Sequence, residues 1–210
     1  LYEQEMELEK ARFSALQSQI NPHFLFNTLN VINGMADMEG AGTTGELIRS
    51  LSRLFRYSLE NHSDRVPLFQ ELTVIKDYIY IEKKRFGERL SYVLKADVDL
   101  ESYEIPSFTL QPLVENSIRH GILVRPKGGV VAIRIMERGE ELVIQVLDNG
   151  AGMEKAQREM LLAGKERQDN RASGIGTGNV FRRLRLMFPG CRIRISGRKG
   201  RGTCVEIRIN

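Results

Sequence analysis

The spacing of apolar residues changes near Gly87, and this change limits the fold more than any other feature of the sequence. Upstream of it, apolar residues recur at helical spacing. These helical stretches cover residues 2–20, 47–59 and 68–86. Downstream, apolar and polar residues begin to alternate as in a strand, first at Leu90, Tyr92 and Leu94. We therefore predict an α+β chain, in which a helical region precedes an α/β sandwich with a mixed sheet.

The first helical stretch has the spacing of a coiled coil. Apolar residues recur at intervals of 4-3-4-3-4 between Tyr2 and Ile20, with one polar exception. This pattern predicts a helical homodimer. Pro22 then interrupts the helix, either by a kink or by a restart in which Asn21 is the cap and Pro22 the first helical residue. Both outcomes place His23 beside a break, so we expect its ring to be exposed.

A helical hairpin is predicted to follow this break. The glycine-rich residues 34–45 indicate a turn, and Thr43 with Glu46 fits a capping box at the start of the next helix. Two helices joined by a short loop form an antiparallel hairpin. In a homodimer, two such hairpins are predicted to form a four-helix bundle.

The second domain is predicted to begin after this hairpin. We assign residues 1–66 to dimerisation and residues 67–210 to the second domain, with a linking helix at 68–87 and a core at 88–210. The later elements of that core are predicted as strands at 130–136 and 141–147, helices at 154–163 and 179–188, and strands at 191–196 and 203–209.

A helix at residues 111–121 combines an apolar side with three polar residues, Asn116, Arg119 and His120. Because Asn116 and His120 are four residues apart, they share one side of the helix and could meet one ligand. An amide oxygen suits Mg²⁺, and Arg119 could screen phosphate charge. A surface helix with a polar face is the alternative interpretation.

Two glycine clusters downstream favour a nucleotide site. The first follows a predicted strand and includes Asp148, whose carboxylate could accept a hydrogen bond from an exocyclic amine such as that of adenine. The second leads into a helix, where unpaired amides favour phosphate, and glycine lets the backbone approach a ligand closely. From these clusters we expect the following residues at the nucleotide: Gly150, Gly152, Gly174, Gly176, Gly178 and Asn179.

These motifs resemble two related families. The order Asn116, Asp148-x-Gly150-x-Gly152 and Gly174-x-Gly176-x-Gly178 resembles the ATP-binding domain of the GHKL superfamily, the histidine kinase and gyrase-type ATPases, over about residues 88–210. The N-terminal part is similar to a narrower family, the LytS/YehU-type sensor histidine kinases. That similarity lies in residues 19–27 (QINPHFLFN), 51–58 (LSRLFRYS) and 80–87 (YIEKKRFG).

The resemblance implies an enzyme, an ATP:protein-histidine kinase of a two-component system. It implies ATP and Mg²⁺ as cofactors, His23 as the phosphoacceptor, and a response regulator receiver domain as the recipient of the phosphoryl group. It further implies that Asn116 holds Mg²⁺, that Asp148 reads adenine, and that this chain is the cytoplasmic portion of a cell-membrane protein. The remaining nucleotide contacts that it implies are Arg119 and His120 near the phosphates and Thr203 near the adenine.

Two departures from the family patterns bear on the chemistry. The commonest histidine kinases have an acid directly after the phosphoacceptor, whereas this chain has Phe24. Asn27, one turn on from His23, is therefore our candidate polar neighbour for the ring. Gyrase-type ATPases carry a water-activating Glu four residues before the magnesium Asn, where this chain has Pro112. Its absence favours phosphoryl transfer over ATP hydrolysis.

Composition limits the remaining classes. Lys and Arg exceed Asp and Glu by 31 − 27 = 4 charges, a mild excess from which we do not predict nucleic-acid binding. No run approaches about eighteen apolar residues, so we expect no membrane span here. A start at Leu1 predicts a piece of a longer chain, with any membrane helices upstream. The alternative functions are a dimeric ATP-binding scaffold without catalysis and a GHKL ATPase.

Overall fold

The computed structural model describes residues 21–60, 63–163 and 176–210. The chain divides into two units, Leu1–His62 and Ser63–Asn210. The predicted coiled coil at 2–20 and Gly174 lie outside the described residues. The domain boundary that we placed between residues 66 and 67 stays a prediction.

The first unit is a helical hairpin of α1 (Pro22–Met38) and α2 (Gly42–Glu60). Of the two outcomes predicted at Pro22, the structure has a helix start. The Oδ1 atom of Asn21 accepts a hydrogen bond from the backbone N–H of Phe24 at 3.2 Å, and Pro22 lies in the first turn. A proline is tolerated there because the N–H that it lacks would have no partner inside the helix.

The turn between these helices is shorter than predicted. Gly34 lies inside α1 and Gly45 inside α2, so the predicted turn over residues 34–45 is wrong in extent. The predicted capping box is also wrong, because α2 begins before Thr43 and the carboxylate of Glu46 accepts from Arg49 at 2.9 Å. A glycine inside a helix costs only about 0.5–1 kcal/mol relative to alanine, which packing between two helices can offset.

The second unit contains a five-stranded mixed sheet. Its strands are β2 (Leu90–Asp97), β4 (Gly129–Arg138), β5 (Glu141–Asp148), β6 (Arg192–Gly197) and β7 (Thr203–Ile209). They lie in the order β2-β4-β5-β7-β6, with β2 parallel to β4 and the other neighbours antiparallel. The predicted hairpin between β4 and β5 is confirmed, and Gly139 in its turn has a φ of 64°.

Helices pack against the sheet and enclose one core. They are α3 (Leu68–Phe86), α4 (Leu110–Asn116), α5 (Lys155–Leu162) and α6 (Thr177–Met187), and α4 continues as a π-helical turn over Ser117–Ile122. Alternate residues of β4 face this core, namely Val131, Ile133 and Ile135. Such alternation sets the register, since a one-residue slip would turn this apolar set to the other face. The predicted fold class is therefore confirmed.

Helix α3 is more than a connection to the sheet. Leu68, Leu72, Ile75 and Ile79 from this helix belong to the buried core, although the sequence analysis assigned the helix to a link outside it. A two-stranded sheet of β1 (Arg65–Pro67) and β3 (Glu104–Pro106) lies beside its start and was not predicted. None of the helices in the described residues has the length and apolar character of a membrane span.

Candidate functional site

A cavity of about 460 Å³ lies in the second unit, and α4 forms one of its walls. Asn116 and His120 both line this cavity, as their spacing on one side of the helix predicts. The other side of the helix is buried, with Val114 and Ile118 fully enclosed. The π-helical turn begins directly after Asn116, and single turns of this type are frequent at functional sites.

Asn116 contacts the helix on the opposite wall. Its side-chain amide nitrogen donates to the hydroxyl of Thr177, the first residue of α6. Since the nitrogen is engaged in this way, the amide oxygen is the Asn116 atom that suits a cation. Thr177 was not among the predicted site residues, although it stands between Gly176 and Gly178 in the second glycine cluster.

Arg119 does not line the cavity with Asn116 and His120. Its guanidinium donates to the carboxylate of Glu115 at 2.8 Å, one turn back along the helix. Glu115 itself lines the cavity, so the pair lies at its edge. The guanidinium has further N–H donors, and the assignment of Arg119 to phosphate stays a prediction.

Asp148, the last residue of β5, is the one aspartate among the described cavity-lining residues. Its Oδ1 atom accepts from the backbone N–H of Gly150 at 2.8 Å and from that of Thr203 at 3.3 Å. Burial raises the pKa of this carboxyl, while these two bonds and one from the Ser117 side chain act in the opposite direction. The carboxylate is thus held in a fixed orientation at the cavity wall.

The first glycine cluster allows a close backbone approach beside Asp148. A Cβ atom on Gly150 would lie 2.2 Å from the carbonyl carbon of Gly121, and the N–H of Ala151 donates to the carbonyl of Gly121 at 2.8 Å. Gly152 has a φ of 68° and lines the cavity. Because Gly150 has no side chain, this loop can pack against the π-helical turn that continues α4. Of the two glycines, only Gly152 lines the cavity among the described residues.

The second cluster lies partly at the cavity. Gly176 lines it and precedes α6 as the N-cap residue. Gly178 and Asn179 do not line it, and the N–H of Asn179 donates to the carbonyl of Gly176 at 3.0 Å. Thr203, opposite Asp148 in the β5–β7 register, lines the cavity, and its place near adenine stays a prediction.

The cavity also has an apolar part whose residues were not among the predicted site residues. It is lined by Leu113, Met153, Met160 and Leu161. The volume of the whole cavity lies within the range of about 300–1,000 Å³ that is usual for small-molecule sites. Such sites typically have an apolar wall with a few polar groups. Helix α5 supplies Met160 and Leu161, and its weak apolar spacing carried no signal of a ligand.

The donor set fits Mg²⁺ only as a companion of phosphate. Among residues 21–60, 63–163 and 176–210, no group of three or more His, Cys, Asp and Glu could form a metal centre. Mg²⁺ is commonly held by one or two protein oxygens together with substrate phosphates and water. Asn116, with its oxygen at the cavity, is suited to that arrangement.

His23 lies in the first turn of α1, in the other unit, and is exposed. The side-chain amide nitrogen of Asn27 lies 3.3 Å from Nδ1 and 3.3 Å from Nε2 of the ring. The one-turn spacing predicted this contact. An amide can donate to whichever ring nitrogen carries no proton, so Asn27 can hold the imidazole without fixing its tautomer.

Family comparisons match both parts of the chain. Residues 106–210 match the family described as histidine kinase-, DNA gyrase B-, and HSP90-like ATPase, and residues 11–90 match the family described as histidine kinase. The chain therefore belongs to the histidine kinase-, DNA gyrase B- and HSP90-like ATPases. Within them its relatives are sensor histidine kinases, which confirms the resemblance that the motifs indicated.

Three curated relatives illustrate this similarity. The sensor histidine kinase YpdA of Escherichia coli (strain K12) is 41% identical over 85% of this chain and 31% of its own length. The sensor protein LytS of Oceanobacillus iheyensis is 36% identical over 84% of the chain and 30% of its length. The sensor histidine kinase YesM of Bacillus subtilis (strain 168) is 33% identical over 99% of this chain and 34% of its own length. The chain thus spans about a third of the length of the curated relatives it matches.

Proposed function

We propose that this chain is the kinase portion of a sensor histidine kinase, which transfers the γ-phosphoryl group of ATP to His23 and then to a response regulator. The cavity of the second unit carries this proposal. It brings Asn116 and Asp148, which are 32 positions apart in sequence, to one small-molecule site within the region that matches an ATPase family. Such a cavity supports nucleotide binding, and label transfer to His23 distinguishes the kinase from an ATP-binding scaffold.

The lining residues suit the two ends of ATP. At one end, Asp148 can accept a hydrogen bond from the exocyclic amine of adenine, with Thr203 beside it. At the other end, Asn116 would hold Mg²⁺, and His120 would lie near the phosphates. Bound Mg²⁺ would offset charge on the β- and γ-phosphates. Two apolar lining residues, Met153 and Met160, can contact the base and exclude water.

The transfer step needs a neutral ring nitrogen on His23. Its lone pair forms the P–N bond to the γ-phosphorus as the bond from that phosphorus to the bridging oxygen breaks. ADP leaves with the electron pair, and the imidazolium then loses its proton to solvent. Asn27 can hold the ring orientation through its amide. Positioning supplies most of the rate in such transfers.

The proposed assembly is a homodimer joined through the helical hairpin. Several large apolar side chains of α1 are exposed along one stripe: Phe24, Val31, Met35 and Met38. These residues follow the seven-residue spacing of a helical interface. We also propose that the receiver domain docks near His23, and that sequence upstream of this chain places it on the cytoplasmic side of a membrane.

Labelling with γ-³²P-ATP tests the proposal. The full chain should incorporate label that acid removes and base does not, as expected of a phosphoramidate. Asn116→Ala should abolish the Mg²⁺-dependent labelling, while the exposed-site variant Asn30→Gln should label normally. Nucleotide binding without labelling would instead indicate a scaffold, and release of inorganic phosphate without labelling would indicate an ATPase.

A further inference from the structure

Glu71 is a buried acid that the proposed mechanism does not use. It lies in the first turn of α3 and only 1% of its surface is exposed. Burying a carboxylate is costly unless hydrogen bonds compensate it. Its two oxygens each accept a backbone N–H from the segment before α4: Oε1 from Phe108 and Oε2 from Leu110, both at 2.7 Å. Such short bonds are typical of an ionised acceptor.

One of these bonds completes the start of α4. Leu110 is the first residue of that helix, and its N–H has no partner inside the helix. The residue at the N-cap, Thr109, makes no side-chain cap bond, because its hydroxyl donates to the carbonyl of Pro106 at 2.6 Å. Glu71 therefore acts as the cap from another helix, with its negative charge at the positive end of the α4 dipole.

The other bond holds a strained residue. Phe108 has a φ of 56° and is the one non-glycine residue with positive φ in the described parts of the chain. A bulky side chain disfavours this conformation, so neighbouring contacts must maintain it. Glu71 holds the N–H of Phe108, and the guanidinium of Arg183 from α6 donates to its carbonyl at 3.2 Å.

These contacts link α4 and α6, two of the helices that also meet at the cavity. Asn116 on α4 donates to Thr177 on α6 at the cavity wall, while Phe108 joins α3, α4 and α6 at the opposite end of α4. Only eight residues separate Phe108 from Asn116, so a shift of the anchored end displaces the Asn116 side chain. Outer contacts of this kind commonly decide how well a metal ligand is placed.

We propose that Glu71 is a positioning residue of the nucleotide site, which sets the placement of the Asn116 helix and thereby the Mg²⁺-dependent part of ATP affinity. This inference rests on the proposed function. It predicts that Glu71 matters for the phosphate end of the ligand and little for the adenine end, because its two bonds hold the start of α4, whereas Asp148 and Thr203 are carried by β5 and β7.

The test compares binding of a non-hydrolysable ATP analogue to the full chain with and without Mg²⁺. In Glu71→Gln, an amide nitrogen replaces one acceptor oxygen. We expect the affinity gain from Mg²⁺ to fall by about tenfold or more, as for other outer-shell changes. The Mg²⁺-free affinity should stay within about threefold. Glu88→Gln, the same change at an exposed site, should leave both unchanged.

The outcomes separate this inference from the proposed function. No binding by the unaltered chain would overturn the proposed function. If the unaltered chain binds the analogue, two results would overturn only the role of Glu71. One is that Glu71→Gln keeps the affinity gain from Mg²⁺; the other is that Glu71→Gln loses affinity equally with and without Mg²⁺. If Glu71→Gln does not unfold as one cooperative transition, Arg183→Lys tests the same anchor from the carbonyl of Phe108. If Arg183→Lys selectively loses the affinity gain from Mg²⁺, the result supports the proposal. If Arg183→Lys keeps that gain, the result overturns the proposal.

Discussion

The two units of this chain differ in how completely they bury their apolar residues. In the second unit, large side chains such as Phe181 and Ile79 are fully enclosed between helices and sheet. In the helical hairpin, Phe24 is 69% exposed and Met38 is 90% exposed, although both lie on a well-formed helix. The second unit thus has a core of its own, whereas the hairpin leaves an apolar stripe uncovered.

This difference matches the chemistry assigned to each unit. A nucleotide site gains from a cavity with preformed walls, which needs a complete core around it. A phosphoacceptor must be accessible, and His23 is exposed beside the uncovered stripe. The comparison therefore leads us to expect binding in one unit and reaction and association in the other.

Replacement of His23 should separate reaction from binding completely. In His23→Gln we expect no acid-labile label from γ-³²P-ATP, because no ring nitrogen remains to attack phosphorus. The affinity for ATP should stay within about threefold, since no described contact of the cavity involves the hairpin. Labelling assays and calorimetric titration measure the two quantities on the same preparation. Persistent label in this variant would place the phosphoacceptor elsewhere.

Replacement of Asp148 should weaken the binding of ATP itself. In Asp148→Asn the charge that accepts from the adenine amine is removed, while a side-chain oxygen remains for the N–H of Gly150. Loss of a charge-assisted hydrogen bond of about 1.5–3 kcal/mol weakens ATP by about ten- to a hundredfold. Titration with ATP and with GTP measures this effect. Equal affinities of the variant and the unaltered chain for ATP would refute the adenine assignment.

Formation of the homodimer should depend on the uncovered apolar stripe of α1. An exposed valine of the second unit should not affect it. Val31→Ala removes two methyl-sized groups, each worth about 0.8 kcal/mol when fully buried. With half of that area covered in the dimer, each copy loses about 0.8 kcal/mol, so a symmetric dimer should dissociate about tenfold more readily. Val93→Ala is the matched control, because Val93 is 53% exposed and Val31 is 63% exposed. Sedimentation at a series of concentrations measures both. If Val93→Ala weakens the dimer and Val31→Ala does not, the interface belongs to the second unit.

The smallest effect concerns stability and pH. Burial raises the pKa of Asp148 in the folded chain, so protonation favours the folded state. The stabilisation is full below the unfolded pKa and is lost as pH rises through the raised folded pKa. As pH rises through this range, the unaltered chain loses this stabilisation and Asp148→Asn does not. The free energy of unfolding of Asp148→Asn, relative to that of the unaltered chain, should therefore increase with pH. Urea unfolding of the Ser63–Asn210 fragment at several pH values measures this difference. The same slope in both proteins would contradict it.

Local sequence signals predicted much of this structure. The cap at Asn21, the β4–β5 hairpin and the common side of Asn116 and His120 depend on residues a few positions apart, which a periodic pattern records. Local signals failed where they were weak. The three-residue strands β1 and β3 are too short for a period, and Gly34 was interpreted as a turn although its helix continues.

Long-range contacts could not be predicted in the same way. The partners of Asp148 and Thr203 follow from strand order, and the pairing of Asn116 with Thr177 joins residues 61 positions apart. The anchor at Glu71 joins α3 to residues 37 and 39 positions away. No pattern within one helix indicates that its acid caps another.

The sequence by itself determined most of the segments that form helices and strands, and which residue types could hold a nucleotide. Those properties follow from backbone preferences and from side-chain chemistry, both of which are local. Only the tertiary structure decided which of these residues share a cavity: Asn116, Asp148 and Thr203 lie at its wall, whereas Arg119 is not among the described lining residues and pairs with Glu115. Packing of the sheet against its helices sets those positions, because the core accepts one register and one arrangement of its buried side chains.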